Sequence, residues 1–305
     1  MPDKSQSRVL VTGGAGFIGR RVVSALLDDG YPVTVVDHRA VSLPSVRSVT
    51  GDLCDPGVAE AAVTDETDTI IHLAAVTSVL QSVDDPVSTH RLNVDATARL
   101  LELAREHNVS NFLFASTNAV TGNVGSSVIS ERTVLRPLTP YGATKAAGEM
   151  LLGAYSNSYG LRGAALRFSN VYGPGMEAKD SFIPRLMRAA RDGHGVDVRG
   201  DGTMVRDIVH VDDVVAGIFA VWRSEHVGPV ILGSGTSVSV MDMVEAARRV
   251  TGAPIPVTYV PVGNGEMPAV VVDISLGRSL GYSPSTTLDA GLATVWPEFR
   301  PEPQP

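Results

Sequence analysis

The stretch Leu10-Val-Thr-Gly-Gly-Ala-Gly-Phe-Ile-Gly19 limits the fold more than any other part of the chain. It sets glycines at 13, 16 and 19 between the apolar run Val9-Leu-Val and a helical pattern running from about Gly16 to Asp29. A strand that passes into a helix over so few residues needs a tight turn, bare backbone where a charged group approaches, and close helix packing on the sheet. Gly13, Gly16 and Gly19 meet those needs in that order. The helix N-terminus then offers amide donors to a pyrophosphate.

The pattern continues. Val33 to Val36 forms a second apolar run, and further strand and helix pairs follow as far as Phe168. Runs such as Thr69-Ile-Ile-His-Leu and Asn111-Phe-Leu-Phe-Ala are apolar almost throughout, which predicts strands covered on both sides. The expected fold class is α/β, a Rossmann-like doubly wound parallel sheet with a smaller C-terminal α/β region. From about Val171 Pro and Gly become frequent, so the division is drawn as 1–170 for dinucleotide binding and 171–305 mainly for substrate binding. Segments near 203–233 are expected to return to the first part. Helices are expected over Ser181 to Arg191, Val211 to Trp222 and Val240 to Val250, with Asp212 and Asp213 capping the second. Residues from Pro297 to Pro305 read as a loose tail.

Composition narrows the function classes. With 44% hydrophobic and 19% charged residues over 305 positions, the chain can bury a sizeable core. A formal charge of -8 argues against binding nucleic-acid backbone, which calls for an excess of Lys and Arg on one face. The single cysteine, Cys54, cannot form an internal disulfide and reads as a packing residue. The start, MPDKSQS, lacks the apolar core of a signal peptide, and no run of 18 apolar residues occurs, so a cytoplasmic, non-membrane protein is expected. Seven scattered histidines show no paired metal-ligand spacing, and no metal site is expected. His72, inside an apolar strand, reads as a core residue with its hydrogen bonds satisfied.

Further places carry chemistry. Val33-Thr-Val-Val-Asp37 ends in a carboxylate 18 residues after Gly19, where an acid accepts the ribose hydroxyls of NAD and repels the 2′-phosphate of NADP; Arg39 follows closely and leaves NADP open. Asp52 ends the third strand, where it either reaches the adenine or forms a turn. Pro140-Tyr-Gly-Ala-Thr-Lys-Ala-Ala-Gly-Glu149 opens a helix with Tyr141 and Lys145 one turn apart on one face. A nearby ammonium favours a phenolate, so Lys145 is expected to lower the pKa of Tyr141. Ala115-Ser-Thr-Asn-Ala-Val-Thr-Gly122 brings hydroxyls to a strand end, Thr117 among them. Glu149, two turns beyond Tyr141, reads as structural.

Together with His72-Leu-Ala-Ala75, Asn93-Val, Leu166-Arg-Phe-Ser-Asn-Val-Tyr-Gly-Pro174 and Gly200-Asp-Gly-Thr-Met-Val-Arg-Asp207, these motifs resemble the extended short-chain dehydrogenase/reductase family, in its nucleotide-sugar epimerase and dehydratase branch. The resemblance runs from about Arg8 to Trp296. It implies NAD as cofactor, bound by Gly13, Gly16, Phe17, Ile18, Gly19, Asp37, Asp52, Leu53, Leu73, Ala74, Ala75, Tyr141 and Lys145. It also implies catalysis by Thr117, Tyr141 and Lys145, with Tyr141 as base and Thr117 bonding the reacting hydroxyl. Asn170 would then contact the substrate and Arg206 its diphosphate. Dehydratases of this branch commonly carry Asp-Glu after the Thr, and decarboxylases a Glu nearby; here Asn118 and Ala119 stand instead, and neither exchanges a proton at neutral pH. Thr121 replaces a common Tyr, Ile231 a common Asn, and no Lys or Arg falls between Arg249 and Arg278, where relatives often place an arginine for the nucleotide diphosphate.

The expected function is therefore an NAD-dependent nucleotide-sugar epimerase acting at C4 of a UDP-sugar. A ketoreductase or dehydrogenase is the enzyme alternative, with a 4,6-dehydratase or decarboxylase behind it, and a non-catalytic NAD sensor is the alternative of another class. The family also implies a homodimer through helices near 86–107 and 139–159.

Overall fold

The computed structural model describes residues 7–262 and 269–300. Strand β1 (Arg8–Thr12) leads into α1 (Phe17–Asp28), followed by β2 (Val33–Asp37), β3 (Val46–Thr50), α2 (Val58–Ala62) and β4 (Thr67–His72). Helices α3 (Val79–Asp84) and α4 (Pro86–His90) come next, then a π-helical turn (Arg91–Asp95) that runs into α5 (Ala96–Glu106). Strand β5 (Asn111–Thr117), a 3-10 turn (Asn118–Thr121), β6 (Val128–Ile129), α6 (Pro140–Tyr159) and β7 (Arg162–Phe168) follow. Beyond them lie β8 (Asn170–Tyr172), α7 (Phe182–Asp192), β9 (Val196–Arg199), β10 (Val205–His210), α8 (Val211–Arg223) and β11 (Gly228–Leu232). The last elements are β12 (Ser237–Ser239), α9 (Val240–Thr251), β13 (Val257–Val260), β14 (Ala269–Val272), α10 (Ser275–Ser279) and α11 (Leu288–Val295).

Seven parallel strands form the main sheet in the order β11-β7-β5-β4-β1-β2-β3. The winding reverses between β1 and β4, so a crevice opens outside the carboxyl ends of those strands. Strand β5 shows why its sequence is apolar throughout. Phe112 and Phe114 pack with Leu100, Leu101 and Leu152 from α5 and α6, while Leu113 and Ala115 join Val22, Leu26 and Ile218 from α1 and α8. Alternate side chains thus enter separate cores on opposite faces, each fully buried large side chain contributing about 1.5–3 kcal/mol.

A second sheet runs β12-β10-β14-β6, with β8 paired to β10. The return of the chain is divided: β10 stays in this sheet, whereas β11, a helix later, pairs with β7 of the main sheet. In the opposite direction β6 leaves the first half to pair with β14. Helices α7, α9 and α11 close a third core around Leu186, Met187, Val244, Ala247 and Leu292.

Two local expectations differ from the structure. Ser239 caps α9, in a reciprocal box with Asp242 (3.0 and 2.8 Å). Helix α8, however, is capped by His210, whose Nδ1 accepts from the Asp212 amide at 3.3 Å. Asp212 instead pairs with Arg21 at 2.6 Å, and buried Asp213 accepts from the amides of Ser285 and Thr286, both at 3.1 Å. Both carboxylates lie inside the helix, too late to cap it. The expected tail is not loose over its described part, 297–300. Trp296–Glu298 is a 3-10 turn, and Glu298 accepts from the Gly175 amide at 2.7 Å. Residues 301–305, and most of the arginine-free stretch Val262-Gly-Asn-Gly-Glu-Met-Pro268, lie outside the described residues. Among the described residues no helix is long and apolar enough to cross a membrane.

Candidate active site

The glycine turn is fixed by close approach. Gly13 has φ +71°, and a Cβ there would stand 2.8 Å from the Ala74 amide nitrogen; one on Gly19 would stand 2.1 Å from the Gly13 carbonyl oxygen. Side chains at either position would drive the strand and helix apart. At the start of α1, Gly16 gives no side-chain cap and the first turn holds no acidic residue, so its positive end faces the crevice open to an anion. Asp37, 7% exposed, accepts from the Ala15 amide at 2.9 Å and the Arg39 amide at 3.0 Å. The end of β2 is thereby tied to the turn, and Arg39 folds back to donate to the Ala15 carbonyl at 2.7 Å.

A cavity of about 380 Å³ occupies the crevice. Its wall runs from Gly13, Gly16, Phe17, Ile18 and Gly19 past Asp37, Asp52 and Leu53 to Leu73, Ala74, Ala75, Tyr141 and Lys145. Every residue expected to touch the dinucleotide therefore lines one space. Asp52 forms the expected turn, its Oδ1 accepting from the Cys54 amide at 2.9 Å, and it lines the cavity. Bare glycines, an uncapped helix end and a carboxylate at the end of β2 are the features an adenine dinucleotide needs. A larger hollow of about 490 Å³ lies around Arg20, Arg21, Asp28 and Asp212. It includes neither the glycine turn nor Tyr141, and Arg21 is already paired there.

Strand β5 and helix α6 bring the reactive groups together. Thr117 ends β5 as the cap of the 3-10 turn, its Oγ1 accepting from the Ala119 amide at 3.2 Å, and its side chain is hydrogen-bonded with the Tyr141 phenol. Helix α6 begins at Pro140, its first turn held by Thr139 Oγ1, which accepts from the Gly142 amide at 3.2 Å, and by Ser82 Oγ, which accepts from the Tyr141 amide at 3.1 Å. Asn93, in the π-helical turn, accepts from the Val76 amide (2.9 Å) and donates to the Val76 carbonyl (3.0 Å) and Thr144 Oγ1 (3.1 Å). The Asn93 motif thus clamps α6 to the chain leaving β4; π-turns often mark functional sites for such reasons.

The electrostatics depart from expectation. Burial pushes the Tyr141 phenol above its usual value, with the Thr117 hydrogen bond working against it. Burial also pulls Lys145 down to about 7. Its ammonium stands over the Phe114 ring, 4.7 Å from the centroid. Desolvation disfavours both charged forms, so the phenol lies above its usual value rather than below it as expected. His72 is held near 3 by burial and by Lys145. Thr97 donates to the Asn93 carbonyl (2.8 Å), so its oxygen accepts from His72 Nε2 (2.9 Å) and Nδ1 is left to accept from Thr12 (2.6 Å). Neutral His72 therefore serves as a core link that sets Thr12 beneath the Ala74 amide (3.2 Å).

Glu149 is occupied elsewhere. It meets Arg167 in a buried two-pronged ion pair (2.7–3.2 Å) and accepts from Ser116 Oγ at 2.5 Å. Asn118 is buried, and among the described residues neither its side-chain Nδ2 nor its Oδ1 has a partner.

Thr117, Asn170 and Arg206 lie outside the cavity wall. Asn170 and Arg206 stand on the paired strands β8 and β10 of the second sheet. Between them Asp207, wholly buried, accepts from Ser169 Oγ (2.5 Å), Ser234 Oγ and amide (both 2.9 Å) and the Gly235 amide (2.8 Å). Its carbonyl takes the Asn170 side-chain amide at 2.9 Å. Sequence reasoning missed Asp207, Ser82 and Lys179, the last a cavity residue. Asp207 and its neighbours had a readable signal in the Gly200 to Asp207 motif; Ser82 and Lys179 had none. Among the described residues no three His, Cys, Asp or Glu side chains gather to hold a metal.

Comparison with known proteins agrees with this geometry. Residues 9–233 match the model of the NAD dependent epimerase/dehydratase family. The chain is 31% identical over 325 residues to the UDP-glucose 4-epimerase of Lactobacillus helveticus, covering 97% of this chain and 98% of that protein. It is 37% identical over 308 residues to a dTDP-glucose 4,6-dehydratase of Streptomyces griseus, covering 95% and 93%. Among solved structures, a Thermus thermophilus UDP-glucose 4-epimerase in complex with NAD superposes with a TM-score of 0.89 at 32% identity, covering 96% and 98%.

Proposed function

The chain belongs to the NAD dependent epimerase/dehydratase family, and from that premise we propose that it epimerises a UDP-sugar at C4 through a transient 4-keto sugar. The supporting observation is the grouping of Thr117, Tyr141 and Lys145 beside Asn118 and Ala119, which carry no acid or base. NAD, held by the cavity residues, would supply the hydride acceptor and donor for the sugar carbon. Tyr141 takes the proton of the C4 hydroxyl and gives it back, while Thr117 donates to the oxygen on which charge develops. Lys145 bonds the nicotinamide ribose and supports the phenolate. The thirteen cavity residues hold the dinucleotide, Asn170 contacts the sugar nucleotide, and Arg206 bonds its diphosphate. The ketone must turn over between hydride removal and return. Elimination of water would call for a further acid and base; Glu149, a carboxylate on α6 two turns beyond Tyr141, is committed to Arg167.

The same reading assigns 1–170, with the return near 203–233, to NAD binding and 171–305 mainly to the substrate. It also assigns a homodimer. Leu80 (74% exposed), Val87 (70%) and Met150 (70%) leave an apolar surface on α3, α4 and α6 that a second copy would cover. Purified protein incubated with UDP-, dTDP- and GDP-sugars, with products followed by NMR and NADH by absorbance, tests the reaction. A UDP-sugar epimer formed without net NADH is expected. Loss of about 18 mass units, one water, would make the enzyme a dehydratase, and stoichiometric NADH turnover a dehydrogenase or ketoreductase.

A further inference from the structure

Lys179 stands on the loop between β8 and α7, beyond the last strand of the first half, yet it lines the same cavity as Gly16, Phe17 and Gly19. Its Nζ lies 4.5 Å from the ring centroid of Phe17, the first residue of α1. The loop is held in that position from α7. Arg188 donates to the carbonyls of Glu177 (2.9 Å) and Lys179 (3.2 Å), and the Lys179 amide donates to the Met176 carbonyl (2.9 Å). The adjacent carboxylate, Asp180, is taken up by Arg185 (2.6 and 2.8 Å). Among the described residues no carboxylate pairs with Lys179 itself.

An ammonium set against the positive end of a helix dipole is electrostatically disfavoured. The residue is exposed overall, but desolvation also draws its pKa down. An anion between the two reverses the balance, since it meets the helix amides on one side and the ammonium on the other. We propose that Lys179 binds the pyrophosphate of NAD from the side opposite the glycine turn, fastening the loop that leads into the smaller sheet over the cofactor. The proposal rests on the reading that this cavity holds NAD. Its consequence is slow release, which a reaction that removes a hydride and returns it requires.

The test follows NADH leaving the full-length protein, chased with excess NAD and read by NADH fluorescence at low and high salt. Lys179→Met is expected to raise the dissociation rate about 10- to 100-fold and to flatten its salt dependence. Lys179→Arg should restore most of both, and the melting temperature of the NAD-free protein should stay within error. Gly19→Val is the control for the cavity. If Gly19→Val removes binding while Lys179→Met matches the unaltered protein, the Lys179 assignment fails alone. If Gly19→Val binds NADH unchanged, the cavity reading fails. A Lys179→Met loss with unchanged salt dependence, or one that arginine does not rescue, would also overturn the proposal.

Discussion

At Lys145 one environment has opposed effects on stability and function. Burial holds its pKa at about 7 against an ordinary 10.5. Between those values the unfolded chain carries a proton that the folded chain does not, so this group favours folding increasingly as pH rises through the interval; its penalty is complete below pH 7. Lys145→Met is therefore expected to raise the melting temperature of the NAD-free protein, more at about pH 6 than at about pH 9. An equal gain at both, or a loss, would show that burial does not depress the lysine. Catalysis should move the other way, since the substituted protein loses the cation beside the phenol. Tyr141→Phe keeps the ring and removes the proton carrier, so kcat should fall about 10²- to 10⁴-fold while NAD content stays constant. Full activity in that variant would remove Tyr141 from the mechanism. Tyr141 and Lys145 were visible because a helix places residues four apart on one face. The direction of their pKa shifts was not, because it depends on how deeply α6 is buried against Phe114.

At the scale of elements, α6 is fastened at both ends of its site-bearing half. Ser82 and Asn93 hold its first turns, and the buried Glu149–Arg167 pair joins it to β7. Breaking a buried pair strands the partner charge, so Glu149→Ala should cost about 3–5 kcal/mol by urea unfolding. Glu149→Leu combined with Arg167→Met should recover most of that, because two apolar groups leave no charge behind. A cost under about 0.5 kcal/mol for the single change would mean that the pair is not buried in solution. The central strands of the first half, such as β5, were legible because their alternate side chains feed two cores and leave the run apolar throughout. The cap of α8 was misread: two acids before a helical run look like caps, but one pairs with Arg21 and the other holds residues 285 and 286. Such partners are far off in the chain, and local pattern does not contain them.

For the whole molecule, the glycine turn, the parallel sheet and the return of β11 to it could be read from the sequence, whereas the pairings of the second sheet could not. Strands as short as β6 and β8 pair with β14 and β10 only because distant segments meet, and two or three residues carry too little periodicity to announce it. The same limit applies to Lys179, whose place in the cavity depends on how its loop returns. The apolar surface on α3, α4 and α6 carries its own prediction. Leu80→Asp with Val87→Asp should convert a dimer into a monomer by light scattering, and a monomeric unaltered protein would contradict the assignment. The central claim is that a hydride leaves C4 of a UDP-sugar and returns to the same carbon. The direct measurement uses the converted UDP-sugar deuterated at C4, with NMR of both epimers. Deuterium retained at C4 in substrate and product, with no net NADH, is the predicted result; loss of the label from C4, or its appearance in released NADH, would contradict it.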